Sequence, residues 1–90
     1  MTERRSRIEI VYDILRAIVD KGGSIKPTHL LYKSNLSYKR LQEYVKELKV
    51  KDLVRESSDR GKTMFVLTEK GFQFLNDLKQ LKQFQEAFGF

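Results

Sequence analysis

Ninety residues with 18 Lys and Arg against 12 Asp and Glu, a formal charge of +6, and 40% hydrophobic side chains describe one small soluble globular domain. The absence of cysteine excludes disulfides and thiolate metal sites. Charges break every apolar run short of the ~20 residues that a membrane-spanning helix needs, and no apolar segment follows the basic start Met1 to Arg7, so the expectation is a cytoplasmic protein with no membrane partner.

The first helix is predicted from about Ser6 to Lys21. Ser6 with Glu9 three residues on has capping-box spacing. Ile8, Val11, Tyr12, Leu15, Ile18 and Val19 make one apolar face, and Ile10, Ile14 and Ala17 make a second strip half a turn away. A helix apolar on two sides packs on two sides. Gly22-Gly23 ends it. A short helix follows from Pro27 to Tyr32 or Lys33, with Pro in a first turn that has no N–H to satisfy.

After the turn Lys33 to Leu36, Ser37 caps a third helix reaching about Lys51, with Leu36 and Leu41 as a hydrophobic staple. Leu41, Tyr44, Val45 and Leu48 face inward. Residues 53–56 and 63–67 read as two strands of a hairpin, and the polar stretch Ser57 to Lys62 reads as its connecting loop. Thr68 caps a last helix that continues to about Ala87, with Glu69 suited to its dipole. The expected fold is therefore α+β and mostly α. It is a winged helix-turn-helix: a three-helix core, a two-stranded β-hairpin wing and a C-terminal helix. Residues 1–71 form the winged unit, and 72–90 a helix for dimerisation packed on the same domain.

The charge is concentrated. Residues 26–51 hold seven basic side chains and two acidic ones, a net of +5, whereas 1–25 carry +1 and 52–90 balance. A concentrated cationic segment points to a polyanionic partner, against the plainer reading of a solvated lysine-rich surface. The third helix is the strongest candidate. Its outer face offers Tyr38, Lys39, Gln42, Glu43 and Lys46, with Arg40 at the flank. Gln bonds adenine at two edges, Lys reaches guanine and Glu accepts from cytosine. Ser37, Lys33, Asn35 and Ser34 lie where backbone N–H groups at a helix start suit phosphate. Arg60 and Lys62 in the hairpin loop are placed to reach phosphates or a minor groove, or simply keep an edge soluble. Arg4, Arg5 and Arg7 form either a basic arm or a solvated tail.

The last helix carries a separate signal. Phe72 and Leu75 suit its own core. Phe74, Leu78, Leu81 and Phe88, in steps of four, three and seven, follow coiled-coil spacing, with Gln85 at the intermediate position and Phe84 beside it. Left in water such side chains make an adhesive surface. The alternatives are a helix folded back on its own domain and a partner helix from a second copy. The second is favoured, with Ile10, Ile14 and Ala17 completing a homodimer interface.

Catalytic signals are lacking. The single histidine, His29, has no cysteine to pair with and reads as structural or surface. The acidic residues show no metal-ligand spacing, and no P-loop or dinucleotide fingerprint is present. The expectation is a non-enzyme without cofactor, metal or small-molecule ligand.

Several segments resemble one family. Arg7-Ile8-Glu9-Ile10-Val11-Tyr12-Asp13-Ile14-Leu15, Lys26-Pro27-Thr28, Ser34-Asn35-Leu36-Ser37-Tyr38 and Leu67-Thr68-Glu69-Lys70-Gly71 resemble the ten-kilodalton "a"-class DNA-binding proteins of the Sulfolobales and their viral and plasmid relatives. The resemblance spans almost the whole chain. It implies a winged helix, a homodimer joined by C-terminal helices and double-stranded DNA as ligand, with the helix from Ser37 as recognition helix and residues 59–62 as wing. Two departures stand out. Asp52 precedes Leu53 where relatives commonly have Gly, and the last helix is short for the class, which favours a compact dimeric regulator over an architectural rod. Three functions follow in order: a transcription regulator, a sequence-nonspecific chromatin or nucleoid protein, and a winged helix used for protein interaction.

Overall fold

The computed structural model describes residues 5–89; Arg4 and Phe90 lie outside them. The elements run α1 (Arg7–Asp20), β1 (Ser24–Ile25), α2 (Pro27–Ser34), α3 (Tyr38–Val50), β2 (Val54–Asp59), β3 (Lys62–Leu67) and α4 (Glu69–Ala87). Local chemistry sets most of these limits. Ser6 and Glu9 close a reciprocal capping box at the start of α1, and the hydrogen bonds from the Ser6 backbone and side chain hold the Glu9 carboxyl below its usual pKa. At the other end Gly22 takes a left-handed φ, and Gly23 N–H reaches back to the Ile18 carbonyl. The Ser37 hydroxyl accepts from Arg40 N–H and starts α3.

The sheet contains the expected two-stranded hairpin and adds a third strand to it. It has three antiparallel strands in the order β1-β3-β2, because Ser24 and Ile25 pair with Val66 and Phe65. A two-residue strand is too short to show alternation, so periodicity cannot reveal it. The wing is also longer than expected. Ser57, Ser58 and Asp59 pair with Met64, Thr63 and Lys62, leaving Arg60-Gly61 as the turn, both with the positive φ that a two-residue type I′ turn requires. Residues 55–59 are exposed throughout, so this part of β2 has no buried side to betray it.

The core is built around α1. Ile14, Leu15 and Ile18 are fully buried with Ile25 and Leu30, and Leu41, Tyr44, Val45, Leu48, Leu53, Val54, Phe65 and Leu67 close around them. Ile10, Ile14 and Ala17 belong to this core. They therefore have no surface to offer a second copy, which corrects their assignment to a dimer interface. Conversely, Ile8 on the larger stripe is 49% exposed. The reason is that α1 is surrounded by its own chain, touching α2, α4, β1 and β3, and only packing decides which of two apolar stripes is covered.

One joint locks α4 to the end of α3. Asp52 adopts a left-handed φ of 60°, which lets Leu53 N–H return to the Leu48 carbonyl. Thr68 Oγ1 donates to the Asp52 carbonyl at 2.7 Å and accepts from Gly71 N–H at 2.9 Å. A Cβ on Gly71 would lie 2.2 Å from the Leu53 carbonyl oxygen, so only glycine fits this close approach.

Candidate nucleic-acid interface

α3 is held from three sides. Its inner face is Leu41, Tyr44, Val45 and Leu48, as the sequence pattern predicts. On one flank Lys49 Nζ bonds Glu56 of β2, tying the helix to the wing. On the other flank Arg7, from α1, bonds Glu47 and lies over the Tyr44 ring at 5.2 Å. Arg40 stands 5.8 Å from the same ring and donates to the Tyr44 hydroxyl at 3.4 Å. One aromatic ring thus orients two guanidiniums.

The outer face remains open. Tyr38, Lys39, Gln42, Glu43 and Lys46 are all exposed, as are Lys33, Asn35, Ser37 and Arg40 on or beside the helix-turn-helix. Arg60 and Lys62 are exposed at the wing tip. Among the described residues no carboxylate pairs with Lys39, Lys46, Arg60 or Lys62, so these cations face solvent unneutralised. Ser34 departs from expectation. It is 1% exposed, and its hydroxyl donates to the Leu31 carbonyl, so it has no group left for a phosphate. Arg5 is no free arm either: it bonds Asp13 at 2.8 Å and the Ser34 carbonyl at 2.9 Å.

This is a three-helix unit with a hairpin beside its third helix. A family model described as winged helix-turn-helix matches residues 4–86. The chain belongs to that family. An uncharacterized protein of Methanocaldococcus jannaschii is 27% identical over 78 residues, which cover 87% of this chain and 34% of that protein; the chain thus spans about a third of the length of this curated relative. Among solved structures it is similar to Sso10a-2, a DNA-binding protein from Sulfolobus solfataricus, at TM-score 0.80 and 21% identity over 93% of this chain and 85% of that one. It also resembles F93 from STIV, a winged-helix DNA-binding protein, at TM-score 0.73 and 22% identity over 93% and 95%. The transcriptional regulator BldR from Sulfolobus solfataricus aligns at TM-score 0.74 and 20% identity over 89% and 60%.

The second candidate surface of this winged helix lies on α4. Leu81, Phe84 and Phe88 are 53%, 56% and 64% exposed, and the Phe84 and Phe88 rings lie 4.6 Å apart. Phe74, expected on the same outward line, is half-buried against the core beside Leu75. Phe72, expected inside, is 45% exposed. The helix therefore sits turned from the expected setting at its start, because Gly71 draws it onto Leu53 and Leu67. Leu78, Leu81, Lys82 and Gln85 face Ile8, Glu9 and Tyr12 of α1 across a cleft of about 240 Å³, with Lys82 Nζ 5.0 Å from the Tyr12 ring centre. No helix among the described residues is long and apolar enough to cross a membrane.

Sequence reasoning missed the Arg7–Tyr44–Arg40 arrangement and the Lys49–Glu56 tie. Arg7 and Glu47 are 40 positions apart, and no local pattern joins them.

Proposed function

We propose that the protein is a homodimeric double-stranded-DNA-binding transcription regulator. α3 enters the major groove, presenting Lys39, Gln42, Glu43 and Lys46 to base edges. Ser37, Tyr38, Arg40, Lys33 and Asn35 contact the flanking backbone, and Arg60 and Lys62 at the wing tip reach adjacent phosphates. The observation that carries the reading is the open outer face of α3, where Lys39 and Lys46 have no carboxylate partner among the described residues although both flanks of the helix are pinned by ion pairs. The DNA-binding descriptions of Sso10a-2 and F93, and the regulator description of BldR, support the same reading.

A second copy covers the far half of α4. Leu78, Leu81, Phe84, Gln85 and Phe88, with the remaining exposed part of Phe74, form the contact. Each such apolar side chain gains roughly 1.5–3 kcal/mol on burial. A two-fold pair is self-complementary here, because α4 lines the cleft beside Ile8 and exposes Leu81, Phe84 and Phe88 along the same half of the helix. Two recognition helices then meet half-sites ~34–36 Å apart, or a multiple of that.

Titration of the full chain against random and selected duplexes at several salt concentrations tests the reading. Tighter binding to a palindromic site is the expected result. Equal affinity for every duplex, with the same steep salt dependence, identifies a nonspecific nucleoid protein instead. Absence of binding at low salt removes DNA as the ligand.

A further inference from the structure

Arg5 stands where two surfaces meet. Its guanidinium donates through Nη1 to Asp13 Oδ2 at 2.8 Å and through Nη2 to the Ser34 carbonyl at 2.9 Å. Asp13 belongs to α1 and Ser34 is the last residue of α2, so one side chain joins the two helices. Arg5 and Asp13 also line the cleft between α1 and α4.

The Ser34 end of this link is the helix-turn-helix corner. Carbonyls in the last turn of a helix have no partner within it, and a cation there satisfies one of them and complements the helix dipole. Asn35 then turns left-handed, at φ 57° and ψ 37°, and Ser37 caps α3 by accepting from Arg40 N–H. Only Asn35 and Leu36 lie between the carbonyl that Arg5 holds and that cap. A shift of the Ser34 carbonyl is therefore passed to the first turn of α3, the end of a recognition helix that meets base edges.

The Asp13 end is still wet. The Arg5 side chain is 15% exposed, whereas that of Asp13 is 41% exposed, beside a cleft of about 240 Å³. Water on that side screens the pair and receives either charge if the two separate. Protein in place of that water strengthens the attraction, and it makes separation costly because a charge would be stranded in a dry site.

We propose that Arg5 is a positioning residue that couples the α4 surface to α3. A second copy laid over the cleft dries the Arg5–Asp13 pair and fixes the guanidinium on the Ser34 carbonyl. The helix-turn-helix corner is then held in its DNA-binding setting. The inference rests on the homodimeric DNA-binding reading above and adds its regulation. Dimerisation raises the affinity of each α3 for its own half-site, beyond the gain from linking two of them. By reciprocity, DNA on one half-site tightens the dimer.

The test is fluorescence anisotropy of a labelled hairpin duplex with a stem of about ten base pairs, one helical turn, which takes a single recognition helix and removes linked binding. Wild type, Leu81→Glu, Arg5→Gln and the double variant are titrated, with light scattering giving the mass of each. The wild type is expected to bind the stem about fivefold or more tightly than Leu81→Glu does. Arg5→Gln should bind as weakly as Leu81→Glu while keeping the mass of the dimer, and adding Leu81→Glu to it should cost less than about twofold. Asp13→Asn, which keeps the side-chain shape, should abolish the coupling in the same way. Equal losses from Leu81→Glu with and without Arg5 overturn the coupling and leave both readings above standing. Full affinity in Arg5→Lys overturns it as well, because a charge alone would then suffice without the two-pronged hold. A wild type with the mass of one chain removes the dimer, and one that binds no duplex at low salt removes DNA; either result takes this inference with it.

Discussion

α3 and the far half of α4 both turn a long face to solvent, but the faces differ in chemistry and in how they are held. The outer face of α3 is polar and cationic, and the helix is pinned on one flank by Lys49 to Glu56 and on the other by Glu47 to Arg7. The far half of α4 exposes Leu81, Phe84 and Phe88, and its contacts with the rest of the chain thin out beyond the cleft with α1. A rigid polar face suits a partner that is read by hydrogen bonds and charge. An apolar face on a projecting helix suits a partner that excludes water. The two surfaces therefore predict different ligands, and different variants should separate them.

Leu81→Glu breaks the α4 side of the comparison and carries the largest expected effect. Light scattering should show the mass fall to that of one chain. Because paired recognition helices bind with linked affinity, duplex binding should weaken by about 10²–10⁴-fold. An unchanged mass would contradict the proposed interface.

Gly71→Ala strikes the joint that sets both helices. Its new methyl group would meet backbone and the Leu67 side chain, and overpacking of this kind costs about 1–3 kcal/mol, occasionally more. Thermal unfolding should shift down by roughly 4–8 °C per kcal/mol for a domain of this size. A variant that melts with the wild type would show that the joint yields easily.

Lys39→Ala with Gln42→Ala sharpens the α3 side. Each lost base contact should remove about 1–3 kcal/mol of discrimination between duplexes. Lys62→Ala, at the wing tip, should instead weaken all duplexes alike and lower the salt slope by about 1. Equal loss of preference in both variants would move base reading away from α3.

The smallest effect is expected from Asp52→Gly, which relieves a left-handed backbone that costs a non-glycine residue roughly 1–2 kcal/mol. The exposed Arg55–Asp52 pair that is lost with it contributes little. Chemical denaturation should show a gain of at most about 1 kcal/mol, and a clear loss would mean that the aspartate itself holds the corner.

Much of the helical framework is legible in the sequence because it is written in neighbours. Ser6 with Glu9, Gly22-Gly23, Pro27, Ser37 and Thr68 start or end helices through neighbours within about one turn, and each marks a helix limit where the structure has one. The inward face of α3 follows from 3.6-residue spacing for the same reason. The concentration of charge in residues 26–51 is likewise visible without coordinates. Tertiary structure decided the rest. β1 exists only because β3 lies beside it, and the outer half of the wing is held by pairing between residues that show no buried side. The Tyr44 ring between Arg7 and Arg40 joins α1 to α3 across a long stretch of chain.

α1 and α4 show the physical reason most clearly. A helix with two apolar stripes states that two sides are covered, but the covering elements come from elsewhere, so Ile10, Ile14 and Ala17 went to the chain's own core. On α4, the close approach at Gly71 set the rotation of the helix, drawing Phe74 inward and leaving Phe72 partly exposed. Caps and periodicity are short-range and local sequence determines them. Which stripe is buried depends on contacts between residues distant in the chain, and only the folded arrangement supplies those.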